Sequence, residues 1–110
     1  EVFLAVSASV AASALFAKQA YPGEGDKITH AVGGSLIGSG ATLFSYYGLN
    51  VSENKAALLG FATAIAVGLI KEYVHDNADT KNHVVDAHDA LSTGVGGGFG
   101  AFFIRLKFGF

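Results

Sequence analysis

Small and polar residues recur at a spacing of four along three stretches of this chain. One row reads Asp26, His30, Gly34, Gly38 and Thr42. A second reads Gly60, Ala64, Gly68, Glu72 and Asp76, and a third reads Asp86, Ala90, Gly94 and Gly98, with Asp89, Thr93 and Gly97 alongside. Residues four apart share a helix face, so each row predicts a helix with a stripe of small side chains and polar groups at one end. A further row, Ala5, Ser9, Ser13 and Ala17, lies in the uncharged stretch 2–17. If successive helices alternate in direction, the acids and His30 gather at one end of a bundle.

The breakers between the rows set the element boundaries. Tyr21-Pro22-Gly23-Glu24-Gly25 holds the only proline and two glycines, and so predicts a turn. Asp26 follows it where an N-cap or first-turn acid suits the positive end of a helix dipole. The second helix is expected from about Lys27 to Tyr47, closed by Gly48-Leu49-Asn50. Ser52 or Asn54 can cap the third, which runs to about His75 or Asp76. After a polar loop over 77–82, the last helix runs from about Val84 to Leu106. The expected fold is all-α: a small integral membrane bundle of three to four antiparallel helices with Gly/Ala-lined interfaces. Residues 1–20 form its N-terminal apolar helix and 21–110 its helical membrane domain. Two descriptions fit 2–17: a retained anchor helix, which we favour, and a signal-peptide core with Ala12-Ser13-Ala14 as a small-x-small cleavage pattern.

Composition supports the membrane expectation. The chain has 110 residues, enough for one domain, of which 51% are hydrophobic and only 15% charged. Soluble domains carry about a quarter charged residues. Between Ile28 and Ser52 the only titratable group besides tyrosines is His30, over a run longer than the ~20 residues that cross a bilayer core. A compact soluble helical domain is the competing reading. The uncharged part of the third helix, 56–70, spans only ~22 Å at ~1.5 Å per residue. Lys55 and Lys71 would then snorkel, or neighbouring helices would shield the span.

Glycine is the other unusual component, with five glycines within 94–100. Each weakens a helix in water by about 1 kcal/mol relative to alanine, whereas small faces let membrane helices approach closely. The pairs Gly34/Gly38, Gly94/Gly98 and Gly96/Gly100 have the G-x-x-x-G spacing, and Gly60 and Gly68 extend the set of packing positions. Glycine faces left exposed would suit a second copy or a larger membrane-associated complex, besides membrane lipid itself. A net charge of −2 gives no nucleic-acid footprint. The absence of cysteine excludes disulfides, thiolate metal ligands and an acylated cysteine within this chain. Lys55, Arg105 and Lys107 at one end face Lys18, Lys27, Lys71 and Lys81 at the other, too even a division for the positive-inside rule to set orientation.

The candidate chemistry sits in the polar ends. Asp26, His30, Lys71, Glu72, Asp76, Asp86 and Asp89 form the expected cluster. One role for them is to cap and cross-link helix ends, since acids near helix N-termini are favourable without any further function. A second is metal binding by His30, Glu72, His75, Asp76 and Asp86. Glu72-x-x-His75 has the (i, i+3) spacing of carboxylate-bridged metal bundles, but those use two such motifs and this chain has one. A third is catalysis, with His30 as base and Glu72 or an aspartate orienting it. No cofactor is expected, apart from a divalent metal that these ligand types would accommodate. No nucleophile elbow or phosphate loop is present in the sequence.

Asp26-Lys27-x-x-His30, then Lys71-Glu72-x-x-x-Asp76 closing a glycine-bearing helix, then Asp86 leading into a glycine-rich helix, resembles the YfiM-like putative lipoproteins of bacterial envelopes. More distantly the pattern is similar to VanZ-like membrane proteins, which share the Asp-Lys-x-x-His opening. The resemblance covers roughly residues 25–104. It implies a small helical envelope protein in a structural or accessory role, with its polar end toward the periplasm or outer surface. The alternative is an envelope enzyme acting on lipid or cell-wall precursor. Lipoprotein anchoring does not carry over to a chain without cysteine; the apolar helix at 2–17 would anchor it instead.

Overall fold

The computed structural model describes the backbone of residues 2–78 and 87–108 and the side chains of 2–71 and 90–108. Four helices follow one another: α1 (Val2–Ala20), α2 (Gly25–Leu43), α3 (Glu53–Ala78) and α4 (Ala87–Phe108). Gly23 takes φ +82 in the turn between α1 and α2, a conformation open to glycine at little cost. The N-cap of α2 is Glu24, whose side chain makes no capping bond, so Asp26 stands inside the first turn. At its far end α2 passes into a π-helical turn, Phe44–Gly48. Asn50 then reverses the chain with φ 57, and the Ser52 hydroxyl accepts the Lys55 N–H at 3.3 Å to cap α3.

Sequence neighbours run antiparallel, so α2 and α4 point the same way. These two form the centre. α1 packs on one side of the pair and α3 on the other, and α1 and α3 make no contact among the described residues.

Along the α2–α4 seam, backbone meets backbone. A Cβ added at Gly34 would collide with the Thr93 carbonyl, and one at Gly38 with the Gly97 carbonyl. Reciprocally, a Cβ at Gly96 would strike the Ala31 carbonyl and one at Gly100 the Ser35 carbonyl. The hydrogen that occupies each of these positions therefore points at a carbonyl oxygen of the facing helix. Such Cα–H···O contacts recur at close helix pairs and contribute ~0.5–1 kcal/mol each. α3 approaches less uniformly. Gly60 lies against the Thr42 hydroxyl and the Gly38 carbonyl, and Gly97 of α4 lies against Ala64 of α3.

Burial is inverted with respect to side-chain size. Among the described residues the buried hydrophobic ones are five alanines and Ile104, accompanied by Ser9, Ser13, Ser35, Ser39, Thr42, Ser45, Ser92 and Thr93. Fifteen large hydrophobic residues of the described set are exposed, among them Phe3 at 73%, Leu58 at 66% and Phe44 at 64%. Four of these hydroxyls, on Ser9, Ser13, Ser35 and Thr42, need no partner on another helix, because they bond backward within their own. Ser13 donates to the Ser9 carbonyl at 2.7 Å, Ser35 to Val32 at 2.7 Å and Thr42 to Gly38 at 2.7 Å. Ser39 Oγ and Ser92 Oγ are buried without a hydrogen bond.

Among the described residues two helical stretches are long and apolar enough to cross a membrane: α1 and Glu53–Lys71 of α3. α2, which opens with Asp26, Lys27 and His30 and is rich in glycine, serine and threonine, and the glycine-rich α4 are not among them. Of the three to four helices expected to span a membrane, two therefore have the length and apolar character to do so.

Candidate functional site: the polar end of the bundle

α1 ends and α2 begins at the same end of the bundle, which α3 reaches with Lys71. Lys27 is the residue most deeply set there, only 4% exposed. Its ammonium lies 3.1 Å from Asp26 Oδ2, 3.5 Å from Glu24 Oε1 and 5.9 Å from the centre of the Tyr21 ring. A buried ammonium is costly unless paired, and two carboxylates and a ring face supply the compensation. Asp26 itself is exposed. The hydrogen bond from Lys27, aided by its charge, holds the Asp26 carboxyl below the usual aspartate value.

The spacing-of-four row from Asp26 does not stay on one face. Four residues advance a helix by 400°, so the row drifts about 40° per step. The buried set of α2 is Lys27, Ala31, Gly34, Ser35, Gly38, Ser39 and Thr42. Gly34 and Gly38 lie on the seam and Thr42 faces Gly60 of α3, whereas Asp26 is exposed and His30 half-buried, off to their side. Lys27 takes the place at the head of the seam that the row assigns to Asp26. The Asp-Lys-x-x-His pattern contains this lysine, but the candidate cluster leaves it out. The signal that finds it is the mixed three-and-four spacing 27, 31, 34, 38.

His30 and Lys71 do come together. They line one groove between α2 and α3, about 160 Å³ in volume, with Thr29 at its rim, Thr93 of α4 at its floor and Ile37 and Val67 farther along. Gly68 brings α3 close to α4 at this floor: a Cβ there would stand 3.0 Å from the Thr93 Cβ. Glu72 and Asp76 continue α3, and Asp89 lies in the first turn of α4, but the side chains of these three and of His75 are outside the described residues, as is Asp86 altogether. Among the described residues no three His, Asp or Glu side chains gather as metal ligands.

The other packing glycines divide into two kinds. Gly94 and Gly98 face side chains of α3, with 3.3 Å from an added Cβ to Ile65 Cγ1 in the first case and 3.3 Å to Phe61 Cε1 in the second. They floor an apolar surface groove that runs between α3 and α4. The tightest contacts of α4 instead belong to Gly96, Gly97 and Gly100.

The opposite end of the bundle is aromatic and basic. Tyr46 of the π turn stacks on Phe108 at 4.0 Å between ring centres, and Tyr47 meets the same ring edge-on at 6.0 Å. Arg105 Nε donates to Asn54 Oδ1 at 2.8 Å, tying the start of α3 to the end of α4.

No family model, curated protein or solved structure matches this chain significantly.

Proposed function

We propose that this protein is a small integral membrane bundle of a bacterial envelope, with a structural or accessory role as a partner of itself or of a larger membrane assembly. One observation carries the membrane part: among the described residues fifteen large apolar side chains point outward while glycine, alanine, serine and threonine fill most of the interior. In water each buried leucine or phenylalanine contributes roughly 1.5–3 kcal/mol, so this arrangement leaves on the order of tens of kcal/mol unrealised. In a bilayer nothing is lost by facing large apolar groups outward, and close packing of small residues becomes the source of cohesion. The tyrosines and the basic residues at one end fit an interfacial belt. The bacterial-envelope part rests on the resemblance of Asp26-Lys27-x-x-His30 and Lys71-Glu72-x-x-x-Asp76 to YfiM-like proteins. The test is extraction of membranes with alkaline carbonate: the protein stays in the pellet and is released only by detergent. Release into the carbonate supernatant overturns the reading.

The groove shared by His30 and Lys71 favours a second reading, an enzyme acting on lipid or cell-wall precursor. There His30 is the base, Glu72 its orienting partner, and a divalent metal an added ligand of that end. In that case His30→Ala and Glu72→Ala fail to complement a deletion strain while their thermal midpoints match the parent's. Full complementation by both variants overturns it.

A further inference from the structure

The charged positions of α3 and α4 stand at matching heights in the bundle. At one end Arg105 Nε of α4 donates to Asn54 Oδ1 of α3 at 2.8 Å. Farther along this antiparallel pair, Gly97 lies against Ala64 and Gly68 against Thr93. One turn beyond, the same register brings Lys71 level with the first turn of α4, which carries Asp89. The stretches between these limits, 56–70 on α3 and 90–104 on α4, hold no charged residue. Lys55 to Lys71 and Asp89 to Arg105 each advance 16 residues, a rise of ~24 Å. α2 agrees at the polar end: Ala31 faces Gly96 and Gly34 faces Thr93, so the buried Lys27 stands at the height of that same first turn of α4. Among the described residues, the exposed large apolar side chains of both helices fall inside the limits, from Leu58 to Ile70 on α3 and at Leu91 and Phe102 on α4. The aromatic group of Tyr46, Tyr47 and Phe108 lies about one turn outside Arg105.

We propose that this outer belt fits a thin bilayer, with a hydrocarbon core of about 24 Å, and that short-chain phospholipids are the partners it selects. The inference rests on the membrane reading. A typical core is ~30 Å thick, and any tilt of the helices lowers the depth that a belt of fixed length covers. Lysine can reach outward along its stem and so lengthen a belt. Two of the four limits lack that freedom: Arg105 is held by Asn54 at its own height, and the aspartate at 89 has a short stem. A thicker core would draw both charges into hydrocarbon, which is costly, whereas a bilayer that is thin to begin with needs no adjustment. In that setting the tyrosines outside Arg105 stand at headgroup level, where aromatic residues are enriched.

The test uses the full chain with Leu36→Trp as a reporter, since Leu36 is exposed on α2 and the chain has no tryptophan of its own. The protein is reconstituted in vesicles where brominated dioleoyl phosphatidylcholine, which quenches the reporter, competes with unbrominated phosphatidylcholines from dimyristoleoyl to dierucoyl. Dimyristoleoyl or dipalmitoleoyl lipid displaces the quencher best, several-fold better than dierucoyl lipid. A preference that peaks at dioleoyl or longer chains overturns the inference, as does one that is flat across the series. Lys55→Leu with Arg105→Leu, in the same background, lengthens the belt at one end and moves the peak to longer chains. Circular dichroism checks that the helix content is kept. If it is not, Lys55→Leu alone, which leaves the bond between Arg105 and Asn54 intact, is read in its place with a smaller shift. A folded variant whose peak does not move overturns the assignment of these charges as the limits of the belt. Carbonate extraction of the parent is read separately. A carbonate-resistant protein without the short-chain preference loses only this inference, whereas a carbonate-soluble one loses the membrane reading itself.

Discussion

α4 carries two rows of glycine that meet their neighbours in different ways. Gly96 and Gly100 face backbone: the carbonyls of Ala31 and Ser35 occupy the space a side chain would need. Gly94 and Gly98 face the flexible side chains of Ile65 and Phe61, at ordinary to slightly tight distance. Backbone cannot yield without moving a helix, whereas an isoleucine or phenylalanine can change rotamer. Glycine is thus required on one side of α4 and merely permitted on the other, although the sequence spacing of the two rows is the same.

The seam is where the largest effect is expected. Gly34→Leu places a branched side chain where the Thr93 backbone already lies. Overpacking of a well-filled core costs about 1–3 kcal/mol, and a clash with backbone exceeds that. Helix content and thermal midpoint in detergent should both fall, with the variant failing to give a folded species. A Gly34→Leu protein with the parent's midpoint would break the close α2–α4 contact.

The exposed surface supplies the next largest effect and separates two solvents. Leu36 is 51% exposed near the middle of α2. In a bilayer, arginine at such a depth costs about 2.5–3.5 kcal/mol on insertion scales; on a water-facing surface the change stays within about 0.5 kcal/mol. We expect Leu36→Arg to lower the inserted fraction in a glycosylation-reporter assay. An unchanged fraction, together with an unchanged midpoint, would return the outer face to water.

These comparisons also explain what was legible from sequence. The helices and the first two breaks followed from proline, the glycine turns and apolar period, since each of those acts within a few residues; the loop expected over 77–82 is shifted, because α3 continues to Ala78, and the rest of it lies outside the described residues. The close approach of Gly34, Gly38, Gly60 and Gly68 to their neighbours is a property of small side chains on one face. What did not follow was which face led the seam. A row of four-residue steps beginning at Asp26 drifts away from the buried line, and only the helix opposite decides where the line lies. Lys27 was hidden for that reason, and because burial of a lysine depends on Glu24, Asp26 and Tyr21 folding around it. The meeting of His30 and Lys71 in one groove depends on the register of α3 against α2, set by Gly60 at Thr42, and of α3 against α4, set by Gly68 at Thr93, contacts that no local pattern specifies.

A smaller effect, of opposite sign, is expected away from the seam. An added Cβ at Gly40 meets nothing within 4 Å, and at Gly94 it meets only Ile65 Cγ1 at 3.3 Å. Replacing glycine by alanine within a helix gains up to about 1 kcal/mol by propensity. Gly40→Ala should therefore raise the midpoint slightly, and Gly94→Ala should leave it within about 1 kcal/mol of the parent. Set beside Gly34→Leu, the series tests whether the facing atoms, rather than the glycine content of the chain, decide tolerance. A loss at Gly40 as large as the loss at Gly34 would refute that.

The smallest effect concerns the two kinds of lysine at the polar end, and it appears as a dependence on pH. Asp26 lies outside the apolar run that begins at Ile28, and its carboxyl is held below the ordinary 3.8 chiefly by the hydrogen bond from Lys27. A carboxyl with a lowered folded-state value favours the folded state above its unfolded value, and that contribution disappears as the pH falls through the folded one. The contribution is thus constant between pH 7 and pH 5 and is lost at pH values below 3.8. Other carboxylates titrate in the same range, so the measurement is the difference in midpoint between the parent and Asp26→Asn as a function of pH. That difference should be small, because Asp26 is exposed, and it should close on acidification as the parent loses the same charge. Glu24, at 3.5 Å from the same ammonium, keeps part of the pairing in the variant. A difference that persists unchanged below that range would mean that Asp26 acts through its shape and not its charge, and the burial of Lys27 beside an exposed Lys71 would lose its electrostatic basis.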